Sequence, residues 1–212
     1  MKRTSLAIIM VLSVCSIMAQ EETVRVDFQG AQPTITDFLS AYLSTIPEVN
    51  ELEECDVESV ALPHGLRRAY LSQVRGIELE EGESLLIDQK NGYLLYERRY
   101  DESLSRIEMC FWNERDRKHK LFACIRESYM NGRYVCGQFD GREFFRYNNA
   151  TKTMRSCSDE EIGLDATYDV VENSFVSFNL PRTGKDITVA WWNEKGKVKE
   201  KTLKWNGHGF NF

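Results

Sequence analysis

The chain has 212 residues, of which 27 are Lys or Arg and 33 are Asp or Glu, so its formal net charge is −6. This length suits one domain, or one domain with a small appendage. A protein that holds nucleic acid by its phosphates needs an excess of positive charge, so the negative balance argues against that class of function.

Residues 1–19 have the pattern of a secretory signal peptide. A basic start is followed by an apolar run from Leu6 to Val14 and by a small residue, Ala19. The apolar run is shorter than the roughly 20 residues of a membrane-spanning helix. The sequence therefore predicts an exported protein, periplasmic or extracellular, that begins near Gln20 and has no transmembrane span.

A lipoprotein signal that ends at Cys15 is the alternative for this segment, and it would anchor the protein through a lipid. Val14 is bulky where such signals have a small residue, so cleavage after Ala19 is the preferred interpretation. Removal of residues 1–19 takes away two basic residues and no acidic one. The mature chain then has 25 Lys and Arg against 33 Asp and Glu, a net charge of −8.

Residues 20–83 are expected to form an acidic N-terminal segment that packs on a sheet. Between Pro33 and Pro47 the apolar residues follow a 3.6-residue period, which predicts a short amphipathic helix. Thr34 and Asp37 have the spacing of a capping box at its start. Further on, "LPHGLRRAYLSQ" predicts a single helical turn, and the alternation in "IELEEG" predicts a strand over residues 77–81.

The sequence "NELEECDVES" concentrates negative charge between these two parts. We interpret it as a candidate acidic interaction surface, and internal charge balance with the basic stretch 182–204 is the alternative. The surface would consist of Glu51, Glu53, Glu54, Asp56 and Glu58.

Residues 84–212 are expected to form an antiparallel β domain of short aromatic or β-branched runs separated by turns. Four dipeptides favour type I′ hairpin turns: Asn91-Gly92, Asn131-Gly132, Asp140-Gly141 and Asn206-Gly207. The predicted strands are 84–90, 93–99, 106–112, 121–128, 133–139, 142–147, 151–155, 174–180, 187–193 and 197–205. We expect a mainly β fold: a meander of eight to ten strands, as a sandwich or a partly closed barrel, with a short N-terminal helix.

Three of the four tryptophans are followed by asparagine, and two of these pairs lie in similar stretches, "IEMCFWNER" and "ITVAWWNEK". Asparagine suits the exit from a strand, and tryptophan suits the end of a sheet. The alternative is a binding signature in which Trp112, Trp192 and Trp205 stack on a sugar or another apolar partner. Strand alternation predicts that Trp112 and Trp192 point away from the rows of apolar residues that precede them.

Five cysteines follow the leader, and in an oxidising compartment most of them should pair. If Asn113 lies opposite Leu121, then Cys110 lies opposite Cys124, which makes these two the disulfide candidate. Cys55 is the candidate for the unpaired thiol.

Catalytic motifs are not found in the sequence. None of His64, His119 and His208 accompanies a nucleophile elbow or a zinc-binding spacing, and each is expected to be solvated. The sequence does not favour a catalytic Cys-His pair, a glycosidase carboxylate pair or a calcium loop. We therefore expect no catalytic residue, no metal and no cofactor.

The ends of the chain resemble those of uncharacterised secreted Bacteroidetes proteins of about this length. The resemblance rests on the cut between Ala19 and Gln20 and on a C-terminal strand, Trp-x-Gly turn and final Phe, formed by Trp205, Gly207, Phe210 and Phe212. It implies export and assigns no activity.

The sequence is compatible with three functional hypotheses. The first is an exported non-catalytic domain that binds a protein or a cell-envelope component. The second is a carbohydrate-binding or carbohydrate-active accessory protein. The third is a periplasmic inhibitor or immunity-type protein that uses its acidic N-terminal surface.

Overall fold

A computed structural model describes residues 23–48, 57–137 and 140–212 of the chain. These ranges contain two α-helices, α1 (Ile35–Leu43) and α2 (Val57–Arg75), and two short 3₁₀ helices, Glu160–Ile162 and Asp165–Val170. They also contain twelve strands: β1 (Thr23–Arg25), β2 (Glu83–Asp88), β3 (Tyr93–Tyr100), β4 (Ser103–Asn113), β5 (His119–Met130), β6 (Arg133–Val135), β7 (Gly141–Asn148), β8 (Thr153–Cys157), β9 (Phe175–Asn179), β10 (Ile187–Asn193), β11 (Gly196–Trp205) and β12 (Phe210–Asn211). The prediction of a mainly β fold with a short N-terminal helix is confirmed.

The strands form two antiparallel sheets. The large sheet has the order β1-β8-β7-β5-β4-β3-β2, and β6 pairs with the far end of β5. The small sheet has the order β12-β11-β10-β9. Both sheets are open, which selects the sandwich over the partly closed barrel. The polar stretch 156–173 carries the chain from β8 of the large sheet to β9 of the small sheet.

The large sheet is the middle layer, and apolar side chains cover both of its faces. Its first face packs against the two helices, with Ile107 and Met109 of β4 in that core. Its second face packs against the small sheet, with Cys110 and Trp112 of β4 in that core. Successive residues of a strand point to opposite faces, so β4 supplies both cores from one apolar run.

The N-terminal helix begins as the capping box predicts. The Thr34 backbone N–H donates to Asp37 Oδ2 at 2.7 Å, and α1 begins at the next residue. Phe38 and Leu39 are completely buried against the large sheet. The helix ends at Leu43, before Pro47, so the proline does not terminate it directly.

The expected single helical turn and the expected strand at residues 77–81 are wrong. Instead, α2 runs for 19 residues through Pro63 and Gly65, and residues 77–80 are not a strand. Burial of Leu66 and Ala69 stabilises this helix, although proline and glycine usually destabilise the interior of a helix. A Cβ at position 65 would lie 2.6 Å from the Tyr96 hydroxyl oxygen, so glycine lets α2 approach β3 closely.

All ten predicted strands are present, nine of them with shifted ends, and β1 and β12 were missed because each is very short. The four dipeptides predicted to form type I′ turns do not all have the backbone angles of that turn. Only Asn131-Gly132 has the two positive φ angles of a type I′ turn, 52° and 73°. At Asn91-Gly92 and Asn206-Gly207 the glycine alone has positive φ, and Asp140-Gly141 has neither.

The predicted bridge between Cys110 and Cys124 is wrong. Cys110 lies opposite Ala123 and Cys124 lies opposite Met109, one residue away from the expected register. This shift puts the two thiols on opposite faces of the sheet, in different cores. The free cysteines are Cys110, Cys124, Cys136 and Cys157, and Cys55 lies outside the described residues.

Candidate functional site

The three Trp-Asn pairs do not share one surface. Trp112 is 4% exposed, and its Nε1–H donates to the Lys185 carbonyl oxygen at 2.8 Å. Trp205 stacks on it with ring centroids 5.6 Å apart, and Phe210 meets it edge-on at 5.2 Å. We call this cluster of Trp112, Trp205 and Phe210 the Trp112 end. Because Trp112 is covered, it offers almost no ring surface to a ligand.

Trp192 lies at the opposite end of the sandwich, on the face of the small sheet that carries Ser177 and Ala190. The Ile187, Val189 and Trp191 side chains point into the core, and strand alternation turns Trp192 away from them, as predicted. The pairing of β10 with β11 shifts between Trp191 and Trp192, which is a bulge. Bulges commonly re-aim a side chain beside a functional site.

Three neighbours fix the orientation of the Trp192 ring. Its Nε1–H donates to Ser177 Oγ at 2.8 Å. The Tyr129 ring meets it edge-on at 6.3 Å, and the Tyr134 ring lies at 6.4 Å. These two tyrosines face each other across the Asn131-Gly132 hairpin, which lies beside the β3–β4 turn because Met130 pairs with Ser103. The ring therefore remains partly exposed in a defined position.

A cleft of about 350 Å³ opens beside this ring, and we call it the Trp192 cleft. One wall is the face of the small sheet that carries Ala190 and Trp192, and the other is formed by the β3–β4 turn and the ends of β4 and β5. The small sheet contributes Asn179, Ala190, Trp192, Lys197 and Glu200. The opposite wall contributes Arg99, Asp101, Glu102, Ser103, Leu104, Arg106, Tyr129 and Gly132.

A largely buried arginine, whose side chain is 14% exposed, joins the two walls. Arg106 Nη2 donates to Glu127 Oε2 at 2.8 Å, to the Tyr129 hydroxyl at 2.9 Å and to Asn179 Oδ1 at 2.8 Å. Burial works to lower the pKa of Arg106, but Glu108 and Glu127 outweigh it and leave the pKa above its usual range. The guanidinium is therefore a permanent charge that links β4, β5 and β9.

Two buried carboxylates cap the outer edge of β9. Glu127 Oε1 accepts the Phe178 backbone N–H, and Glu108 Oε2 accepts that of Leu180 at 2.8 Å. Burial raises the pKa of Glu108, while Arg106 opposes that shift. An edge strand with unpaired N–H groups can pair with another chain, so the capping also protects this edge. Arg106 and these two carboxylates thus hold β9 against the large sheet.

A second cleft of about 500 Å³ lies beyond Tyr134. It contains the exposed Cys136 thiol, and no histidine is among its lining residues. Burial raises the pKa of Asp140, and the Arg142 guanidinium stacks over the Tyr168 ring at 4.5 Å. The thiol therefore has no imidazole base beside it, and the arrangement does not support nucleophilic catalysis.

Glu114, Asp116 and His119 present ligand atoms within 4.8 Å of one another, near the Trp112 end. Glu114 accepts from Arg146 Nε at 2.7 Å and contacts His208 Nδ1 at 2.8 Å. Asp116 Oδ2 lies 2.6 Å from His119 Nδ1, and this bond lowers the pKa of Asp116 to about 2. The carboxylates already have guanidinium or imidazole partners, and through Glu114 these contacts link the β4–β5 turn to β7 and to the C-terminal hairpin.

The remaining predicted residues take different positions from those expected or cannot be placed. His64 lies within α2 and contacts the Pro47 carbonyl oxygen at 3.0 Å, rather than lying in a solvated loop. Of the candidate acidic surface, Glu58 belongs to the first turn of α2. Glu51, Glu53, Glu54 and Asp56 lie outside the described residues, so this surface stays a prediction.

The sequence analysis named Trp192 as a candidate and missed the residues that surround it. Tyr129 and Tyr134 flank an Asn-Gly hairpin turn at matched distances, and that pattern places two aromatic rings opposite each other. No pattern in the sequence indicated that Arg106 is important, because it links the strands only through its contact with β9 in the folded protein.

Comparisons with known proteins add no function. No family model matches the chain, and no curated protein matches it. A solved domain of an uncharacterized protein from Porphyromonas gingivalis W83 is similar over 82% of this chain and 96% of its own length, with 10% identity and a TM-score of 0.36. In the described part of the chain, no helix has the length and apolar character needed to span a bilayer.

Proposed function

We propose that the protein is an exported, non-catalytic binding domain and that its ligand occupies the Trp192 cleft. The observation that carries the proposal is the Trp192 ring, which is partly exposed at the cleft wall and is fixed by Ser177 and Tyr129. A rigid aromatic side chain loses little conformational entropy on binding, and tryptophan is enriched among residues that dominate binding energy. Export rests on the signal pattern of residues 1–19.

The surroundings of the cleft also support an interaction role. Tyr100 is 78% exposed and Met130 is 46% exposed, and the two line a shallow depression that shares Asp101, Glu102 and Ser103 with the cleft. Exposed apolar groups that lie together on a soluble domain commonly mark a binding surface. The end of the molecule that carries Trp192 therefore combines aromatic, apolar and charged groups around one concavity.

The lack of catalysis is part of the proposal and follows from how the charges are used. Glu127 is bonded to Arg106, Tyr129 and the β9 backbone, and Glu108 is bonded to the Tyr93 hydroxyl and the β9 backbone. A general acid or base has to reach the substrate with a free lone pair or proton. Both carboxylates are buried, and neither is among the residues that line the Trp192 cleft, so neither can reach a ligand there.

The four tryptophans allow a direct test, because each indole N–H gives a separate signal in a ¹⁵N-correlated NMR spectrum. Small oligosaccharides, dipeptides and nucleotides are added in turn to the full mature protein. We expect at least one class to move the Trp192 signal and to leave the Trp112 signal in place. Trp192→Phe and Trp205→Phe assign the signals and serve as a matched pair. If no class moves the Trp192 signal, the proposal is wrong.

A further inference from the structure

We propose that the ligand of the Trp192 cleft is an uncharged saccharide of one or two sugar units. The inference rests on the proposed function and adds the chemical class of the ligand. It combines three observations: a balanced set of charges around the cleft, an aromatic and apolar surface inside it, and strand backbones that are already bonded. The volume of about 350 Å³ falls within the range of small-ligand pockets.

The charges around the cleft cancel. Its lining includes three basic residues and three acidic ones: Arg99, Arg106, Lys197, Asp101, Glu102 and Glu200. Lys197 Nζ contacts Glu200 Oε2 at 2.6 Å, and Arg99 Nη2 contacts Glu97 Oε2 at 3.1 Å. A ligand with a net charge would have to separate such pairs. A neutral ligand leaves them in place.

Hydroxyl groups suit this mixture of donors and acceptors. A hydroxyl donates one hydrogen bond and accepts two, so one sugar ring can donate to Asp101 or Glu102 while it accepts from Lys197. Bonds to charged partners are shorter and stronger than those between neutral groups. Because hydroxyls make such bonds without carrying charge, polar recognition and electrical neutrality are compatible here.

The remaining lining is apolar and presents a flat face. Trp192 and Tyr129 provide aromatic rings, while Leu104 and Ala190 contribute aliphatic groups. The C–H groups on one face of a pyranose ring can cover the indole, while the hydroxyls at the ring edge remain free for polar contacts. The fixed indole orientation favours this stacking, because the ring does not have to be ordered on binding.

An extended peptide fits the cleft less well. Peptides often bind to sheets by adding a strand to a free edge. β10, which carries Ala190 and Trp192, is paired on both sides by β9 and β11. The outer edge of β9 is capped by Glu127 and Glu108. The backbones of these two strands are therefore already bonded where a peptide would need them.

The test titrates the mature protein with di- and trisaccharides of glucose, mannose and xylose, and in parallel with oligogalacturonate and with dipeptides. We expect at least one neutral saccharide to move the Trp192 indole signal, with an affinity that is the same at low and high salt because no ion pair forms. Trp192→Ala should weaken this binding by about tenfold or more. Trp192→Phe should retain part of it, and the control Trp205→Phe should bind like wild type.

The outcomes separate the two proposals. If oligogalacturonate or dipeptides move the Trp192 signal and no neutral saccharide does, the ligand class is wrong and the binding site stands. If no probe of any class moves that signal, both proposals fail. Saccharide binding that survives Trp192→Ala would place the sugar elsewhere and would also overturn the inference.

Discussion

The two ends of the sandwich carry nearly the same sequence and have different structures. "FWNE" ends β4 at residues 111–114, and "WWNE" ends β10 at residues 191–194. Trp112 is buried beneath Trp205 and Phe210, whereas Trp192 stays partly exposed at a cleft. The local sequence thus determines where the strand ends, and the neighbouring chain determines whether the ring is covered.

The C-terminal hairpin closes the Trp112 end. β12 folds back on β11, and Phe210 packs against both Trp112 and Trp205. A Cβ on residue 209 would lie 2.6 Å from the Ile162 carbonyl oxygen, so glycine permits the close approach. At the Trp192 end the β3–β4 and β5–β6 hairpins stand beside the small sheet, with the Trp192 cleft between them.

The two ends should differ most in how strongly their tryptophans stabilise the fold. Trp112→Ala removes a buried indole, its stacking partners and its bond to the Lys185 carbonyl, so we expect it to lower the free energy of unfolding by about 3–5 kcal/mol. Urea denaturation followed by circular dichroism measures the change. A loss below about 1 kcal/mol would show that this end is not a sealed core.

The next effect concerns the edge of β9. Glu127→Gln keeps a carbonyl oxygen for the Phe178 N–H but places an amide N–H against the Arg106 guanidinium, so we expect a loss of about 1.5–3 kcal/mol in urea denaturation. Glu108→Gln is the matched control. Its amide can donate to the Tyr93 hydroxyl, which can rotate to accept, so this variant should lose less. Equal losses would contradict the assigned roles.

A smaller effect on stability is expected at Trp192. Trp192→Ala should cost about 1 kcal/mol, because the ring is partly exposed and its bond to Ser177 is one neutral hydrogen bond. The same urea denaturation gives the value. If Trp192→Ala destabilises the protein as strongly as Trp112→Ala, the distinction between a sealed end and an open end is wrong.

The smallest effect is a change in pH dependence. Burial raises the pKa of Glu108 above 4.5, so the folded state binds this proton more readily than the unfolded state. The stabilisation that Glu108 contributes is therefore full below its unfolded pKa and is lost as the pH rises through its folded pKa. Thermal unfolding from pH 4 to 8 should show a decline in wild type that is weaker in Glu108→Gln. Parallel curves would mean that Arg106 cancels the effect of burial.

Much of the architecture could be predicted from the sequence. The ten strand positions followed from aromatic and β-branched runs between turn residues, and the start of α1 followed from Thr34 and Asp37. The length of α2 could not be predicted, because Pro63 and Gly65 are locally unfavourable in a helix and only burial against the sheet offsets them. The division into residues 20–83 and 84–212 stays a prediction, and β1 of the first part pairs with β8 of the second.

The sequence by itself determined the alternation of each strand, and with it the face to which Trp112 and Trp192 point, because that periodicity is a local property of the backbone. Tertiary structure decided the register between β4 and β5, which separates Cys110 from Cys124. It also decided which tryptophan is covered and which residues surround the Trp192 cleft. Those outcomes depend on contacts between segments far apart in the chain, such as Arg106 with Asn179, for which a single sequence carries no local signal.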